Sequence, residues 1–134
     1  MTTFSVLTPI TPTLDPGPNA TLGVAPLDPA ELVFTSAAAN QVVPLSDTLM
    51  TLVFIKNTST TQTVTFTNYQ TVGGSDKTVT AASGTTLTGV WLPYHWGNRD
   101  NTSGAYGGCE LTWHAEASLT NMSIAVVQVP YASI

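Results

Sequence analysis

The chain has 134 residues, the length of a single domain, and its 43% hydrophobic content is too high for an intrinsically disordered protein. Charged residues make up only 8% of the chain, with three basic residues against eight acidic ones and a formal net charge of −5. Because nucleic acids and anionic membranes are bound through clustered Lys and Arg side chains, this charge argues against both as partners.

Residues 1–30 are predicted to form an extended arm, because their prolines interrupt any helix or strand pairing. The arm also carries apolar residues that a purely flexible linker would not need. These are Phe4, Val6, Leu7, Ile10, Leu14, Leu22, Val24 and Leu27. We interpret them as side chains that contact a partner surface; the alternative is an arm that packs on its own domain or stays disordered. No basic stretch followed by an apolar run is present, so no secretory signal peptide is expected.

Residues 31–134 have the pattern of a β domain, in which short apolar or alternating runs are separated by Gly- and Asn-rich turns. The predicted strands are 31–35, 41–43, 50–56, 61–68, 77–80, 87–92, 110–115 and 121–129. Short strands at this spacing are typical of sandwiches and small barrels. We therefore predict an all-β fold, a single antiparallel β-sandwich or small barrel that follows the extended Pro-rich N-terminal arm.

Two of the predicted strands indicate which side chains are buried. Residues 50–56 are apolar on both faces, which is typical of a central strand. Residues 61–68 alternate between apolar residues and threonine, so Val64 and Phe66 are expected to point into the core. The intervening threonines are expected to point to solvent.

The chemically reactive residues form no arrangement typical of an enzyme, so no catalytic residue is predicted. Nucleophilic catalysis would need a base beside the single cysteine, Cys109, and no local pattern links it to His95 or His114. We expect Cys109 to be a small buried hydrophobe. Glu110 and Glu116 are evenly spaced on one predicted strand and are interpreted as solvated residues. Because no metal-ligand spacing is present either, neither a metal nor another cofactor is expected.

A group of aromatic residues lies at the end of the predicted strand 87–92 and in the Gly- and Asn-rich loop at 97–108. Its members are Trp91, Tyr94, His95, Trp96 and Tyr106. Trp and Tyr dominate protein interfaces, and their amphipathic rings also stack on sugars. The sequence leaves three interpretations for this group: a protein interface, a sugar site, or a lid over one end of the core.

The order of features along the domain is also informative. In chain order the segments are ELVFTSAAANQVV, LVFIKNTS, QTVTFTN, KTVTAASGT, GVWLPYHWGN and, after a polar loop and a strand near Cys109, MSIAVVQVP. From Glu31 to Pro130 this order resembles a family of small β-sandwich proteins encoded among the head genes of tailed phages. The loop at 97–108 is longer than is usual in that family, and the Pro-rich arm is absent from its shortest members.

The resemblance implies a capsid decoration (cement) protein, which binds the outside of an assembled phage head and stabilises it. It also implies the major capsid protein as partner, a homotrimer, and a place on the outer capsid surface of the virion after synthesis in the host cytoplasm. The arm would then grip neighbouring subunits, for example by adding a strand to a sheet edge. The alternative function is a glycan-binding or adhesive β-sandwich module of the head-fibre or tail type, which would use the aromatic group.

Overall fold

The computed structural model describes residues 4–10, 32–58, 61–69, 75–82, 84, 87–114 and 116–130. The strands within these residues are β1 (Ser5–Val6), β2 (Thr35–Ser36), β3 (Gln41–Pro44), β4 (Leu49–Asn57), β5 (Gln62–Phe66), β6 (Lys77–Ala81), β7 (Leu87–Leu92), β8 (Gly108–Trp113) and β9 (Met122–Pro130). Short 3₁₀ helices, Tyr94–Trp96 and Glu116–Asn121, follow β7 and β8.

The strands form two sheets that pack against each other as a β-sandwich, which confirms the predicted all-β fold. Sheet I has the strand order β1-β3-β8-β5-β6, and sheet II has the order β2-β9-β4-β7. Neighbouring strands are antiparallel except β1 and β3, which are parallel. Of the two predicted architectures the sandwich is the one formed, since no barrel closes within the described residues.

The predicted strands match the observed ones best where they are long. β4 is central in sheet II, as its apolar residues on both faces predicted, and it pairs with β9 from Leu49 to Asn57. The expectation that Glu110 and Glu116 share one strand is wrong. β8 ends at Trp113, which pairs with Val64 of β5, and Glu116 begins a 3₁₀ helix instead.

The hydrophobic core lies between the sheets and is built by alternate residues of the long strands. Val53 and Ile55 of β4 face Val64 and Phe66 of β5 across the sandwich, and all four are fully buried. This burial confirms the inward direction predicted for Val64 and Phe66. Full burial of a side chain of this size contributes about 1.5–3 kcal/mol to the free energy of unfolding.

Buried amide side chains connect the two sheets. Nδ2 of Asn57 on β4 donates to the carbonyl oxygen of Ala81 on β6 at 3.0 Å. Nε2 of Gln128 on β9 donates to the carbonyl oxygen of Pro44 on β3, also at 3.0 Å. A buried polar group without a partner costs about 1–3 kcal/mol, so these bonds fix how the sheets are placed on each other.

Residues 4–10 lie on the sandwich of their own chain. The N–H of Leu7 donates to the carbonyl oxygen of Val42 on β3 at 2.9 Å, and the Leu7 side chain is buried in the core. Further along, the N–H of Ile10 donates to the carbonyl oxygen of Val126 on β9, and the N–H of Gln128 donates back to Ile10, both at 2.8 Å. The segment thus crosses from the edge of sheet I to the edge of sheet II.

The other predicted contact residues of the arm divide into two groups. Phe4 and Ile10 are half-buried on the sandwich, whereas Val6 is 55% exposed. The four remaining positions, Leu14, Leu22, Val24 and Leu27, lie outside the described residues. For residues 4–10, packing on the chain's own domain is therefore the arrangement observed.

Candidate functional site

The outer face of sheet I is covered by threonines. Thr65 of β5 lies opposite Thr78 of β6 on one side and opposite Thr112 of β8 on the other. The hydroxyl oxygens of Thr65 and Thr78 are 2.9 Å apart, and Nε2 of His114 lies 2.6 Å from the Thr65 hydroxyl oxygen. This face is polar and hydrogen-bonded, which confirms the outward direction predicted for the threonines of β5.

The outer face of sheet II is mainly apolar instead, with one charged residue, Lys56, opposite Leu87. The outward residues of β4 alternate with its buried ones and pair with outward residues of β7, so Leu52 lies opposite Trp91 and Phe54 opposite Gly89. The ring of Phe54 lies over Gly89, where an added Cβ would be 3.4 Å from Cε1 of the ring. We call the surface formed by Met50, Leu52, Phe54, Leu87 and Trp91 the apolar face.

Exposure on sheet II increases from β9 towards β7. Val127 of β9 is buried, its neighbour Leu52 on β4 is half-buried, and Trp91 on β7 is 51% exposed. The solvent side of an antiparallel sandwich is usually polar, and contiguous exposed apolar side chains mark surfaces that bind partners. The apolar face is therefore the strongest candidate for a docking surface among the described residues.

The aromatic group predicted from the sequence is divided among different places. Trp91 belongs to the apolar face and Trp96 packs against the core. His95 is exposed and lies in the same 3₁₀ helix as Trp96. Tyr94 and Tyr106 line a surface depression. The lid interpretation thus describes Trp96, whereas the two tyrosines present their rings to solvent.

The depression has a volume of about 320 Å³ and lies between the turn that follows β3 and the loop at 97–107. Tyr94 and Tyr106 are 44% and 62% exposed. Charged side chains from both walls, Asp47 and Arg99, complete the rim together with Asn98. Exposed rings beside side chains of both charge signs form a surface that can bind a ligand with apolar and polar sides.

The loop wall of the depression is held by its own hydrogen bonds. Oδ1 of the buried Asn98 accepts the N–H of Asp100 at 2.8 Å, and Nδ2 of Asn98 donates to Oγ of Ser103 at 3.3 Å. Oδ1 of Asp100 accepts the N–H and the hydroxyl of Thr102 at 3.0 Å and 2.7 Å. The side-chain and backbone bonds from Thr102 lower the pKa of the Asp100 carboxyl.

Cys109 is buried in the core, as expected of a small hydrophobe. Its side chain points inward from β8, whereas His114 is exposed and bonded to Thr65 on the outer face of the same sheet. The thiol donates to the carbonyl oxygen of Thr67 at 3.3 Å. Burial, with a smaller contribution from the Asp76 carboxylate, raises the pKa of Cys109 to about 12.

We expect the Cys109 thiol to be unreactive towards Ellman's reagent at about pH 8 while the protein is folded, because only the thiolate attacks. Complete reaction is expected after addition of denaturant. Since the folded-state pKa is raised above that of an exposed thiol, the stability linked to this group is complete below about pH 8.5 and decreases as the pH rises through the folded pKa. Fast labelling of the folded protein would contradict this placement of Cys109.

Among the described residues, no group of three or more His, Cys, Asp or Glu side chains could hold a metal ion. No helix in that part of the chain is long and apolar enough to cross a membrane.

Glu110 is half-buried on the outer side of β8, and this burial raises the pKa of its carboxyl.

Sequence reasoning named Trp91, Tyr94 and Tyr106 but missed the residues that form the two surfaces with them, for different reasons. The apolar face had a signal, because residues 50–56 are apolar on both sides and Leu87 and Trp91 alternate with buried residues of β7. That signal was interpreted only as a central strand. Nothing in the sequence indicates that Asp47 and Arg99 line the same depression as the tyrosines, because this depends on contact between two segments that are distant in sequence.

Comparisons of the chain with protein-family models, with curated proteins and with solved structures give no match. The likeness to phage-head sandwich proteins therefore stays a hypothesis based on the order of sequence features. Any functional assignment depends on that order and on the two surfaces described above.

Proposed function

We propose that this chain is a decoration protein, a structural protein that binds the outside of an assembled phage capsid and stabilises it. Its partner in this proposal is the major capsid protein, and it acts as a homotrimer on the outer capsid surface of the virion. The observation that carries the proposal is the apolar face of sheet II. Its apolar side chains are half-buried or exposed, whereas the solvent side of a sandwich is usually polar.

The energetics of such a surface suit attachment to a protein lattice. Trp91 is the exposed aromatic of the apolar face, and buried aromatic anchors supply most of the binding energy at protein interfaces. The half-buried Leu52 and Phe54 beside it add apolar area, at about 25 cal/mol per Å² removed from water. A protein that binds only the assembled shell stabilises that shell by mass action, so many copies need only moderate affinity each.

The arm keeps its proposed role, but the part that grips a neighbouring subunit begins after Ile10. Ile10 pairs with Val127, and Thr35 pairs with Ile124, so the chain on either side of residues 11–31 lies at one edge of β9. A segment whose two ends are held close together can be exchanged for a short linker at small entropic cost. This arrangement allows the arm to be tested without removing Leu7 or Ile10 from the sandwich.

The test is co-sedimentation of the purified protein with heads of the source phage that lack it. Wild-type protein is expected to sediment with the heads, and Trp91→Ser is expected to weaken binding about 30-fold, the loss typical of a central aromatic anchor. Tyr106→Ser is the matched control, because it also removes an exposed aromatic ring but lies outside the apolar face. Replacing residues 12–30 by a Gly/Ser linker is expected to give a folded protein that binds weakly.

Three outcomes would count against parts of the proposal. Wild-type protein that stays in the supernatant would overturn the assignment as a decoration protein. Equal binding by wild type and Trp91→Ser would remove the apolar face as the docking surface. Unchanged binding by the linker variant would remove the arm as a gripping element.

A further inference from the structure

We propose that the depression between the turn after β3 and the loop at 97–107 is a carbohydrate subsite that takes a single pyranose ring. The site is formed by Tyr94 and Tyr106, which supply aromatic faces, and by Asp47 and Arg99, which supply polar groups. This inference does not depend on capsid binding, because the depression and the apolar face contain different residues.

The aromatic part of the site matches the apolar face of a sugar. A pyranose presents C–H bonds on the face of its ring and hydroxyl groups around its edge. Tyr94 and Tyr106 are among the most exposed large side chains in the described part of the chain. An exposed tyrosine combines an apolar ring with a hydroxyl group, so it can stack on the ring face and bond a hydroxyl at the same time.

The polar part of the site matches the edge of a sugar. Hydroxyl groups need both donors and acceptors, and the rim supplies an acidic side chain, Asp47, and a basic one, Arg99. Both side chains are exposed, so both can bond a ligand. A carboxylate and a guanidinium each bond two adjacent groups in one plane, which fits neighbouring hydroxyls on a ring.

The walls of the depression are pre-organised. The N–H of Leu45 donates to the carbonyl oxygen of Gly107 at 3.2 Å, which ties the turn after β3 to the loop. Oγ of Ser46 accepts the N–H groups of Thr48 and Leu49, both at 3.2 Å, which fixes the turn that carries Asp47. Binding to walls that are already ordered avoids the entropic cost of forming them around a ligand.

The dimensions and composition favour a sugar over a protein segment. A volume of about 320 Å³ is at the lower end of the range for small-molecule pockets. The centres of protein interfaces are usually depleted of Asp, whereas Asp47 lines the depression together with the tyrosines here. The hydroxyl groups of a neutral hexopyranose can form hydrogen bonds with both charged side chains, so the ligand itself needs no charge.

Saturation-transfer NMR of the full chain with the methyl pyranosides of glucose, galactose, mannose and N-acetylglucosamine tests the inference. We expect millimolar binding of at least one of them, with the strongest transfer to the C–H protons of one ring face. Tyr106→Ala is expected to weaken that binding about tenfold, as loss of a stacking ring would. Trp91→Ser is the matched control and should leave sugar binding unchanged.

A second pair of variants tests the polar contacts. Asp47→Asn and Arg99→Ala change exposed residues of the depression. Each is expected to weaken binding of the same sugar without lowering the melting temperature of the protein. Absence of transfer to all four pyranosides would overturn the inference. Undiminished transfer in Tyr106→Ala would overturn it as well, since the sugar would then lie elsewhere. Neither result bears on capsid binding, which is measured through Trp91.

Discussion

Leu7→Ala is expected to lower the free energy of unfolding by about 2–4 kcal/mol, a loss typical of truncating a buried leucine. Leu7 lies in the segment that the sequence predicted to be an arm, yet its side chain is only 6% exposed and belongs to the core. Removing it leaves a cavity between the sheets beside β3. Thermal unfolding followed by circular dichroism should show a melting temperature lower by about 10 °C.

Val6→Ala is the matched control for this prediction. Val6 is the last residue of β1, directly before Leu7, and is 55% exposed. Its truncation should change the free energy of unfolding by no more than about 0.5 kcal/mol. Equal stability of Leu7→Ala and Val6→Ala would show that residues 4–10 do not pack on the sandwich of their own chain.

Gly108→Ala is expected to destabilise the domain by about 1–3 kcal/mol, because the added methyl group overpacks the contact between β8 and β3. A Cβ on Gly108 would overlap the side chain of Val42 and would lie 3.0 Å from the carbonyl oxygen of Val43. The same residue closes the loop that forms one wall of the depression, since its carbonyl oxygen accepts the N–H of Asn98 at 2.8 Å. Chemical denaturation with urea measures the loss.

Gly89→Ala provides the comparison for Gly108→Ala. Gly89 also lies in a strand, but its added Cβ would make only ordinary contact with the ring of Phe54, at 3.4 Å. Replacing a strand glycine by alanine removes freedom from the unfolded chain, so this variant should be as stable as wild type or slightly more stable. A larger loss for Gly89→Ala than for Gly108→Ala would contradict the packing described for β8.

The fold could be predicted from the sequence where a regular period repeats over several residues. β5 alternates Val64 and Phe66 with threonines, and that pattern alone gives the strand and its buried face. β1 could not be found in this way. It has two residues, and its pairing with β3 is a parallel, non-local contact in a segment whose prolines favour an extended, unpaired chain.

The candidate sites depended even more on non-local contacts. The aromatic group was recognised from residue type, but its division between the apolar face, the core and the depression follows from three-dimensional packing. Trp91 and Trp96 are close in sequence, yet the first is half exposed on sheet II and the second packs against the core. Sequence spacing at a strand end does not give the direction of each ring, because the chain turns there.

The chemistry of the outer faces gives the domain two distinct sides. Sheet I presents hydrogen-bonded threonines that suit contact with water, whereas sheet II presents the apolar face. In the proposed function, sheet II would meet the shell and sheet I the medium. The depression with Tyr94 and Tyr106 would add a contact to carbohydrate that is independent of the shell.

The most direct test of the docking surface is an electron cryomicroscopy reconstruction of source-phage heads to which the purified protein has been added back. We expect a sandwich whose sheet II faces the capsid, with Trp91 at the contact and the threonines of sheet I exposed to solvent. A reconstruction in which sheet I faces the shell, or in which the heads carry no added density, would contradict it.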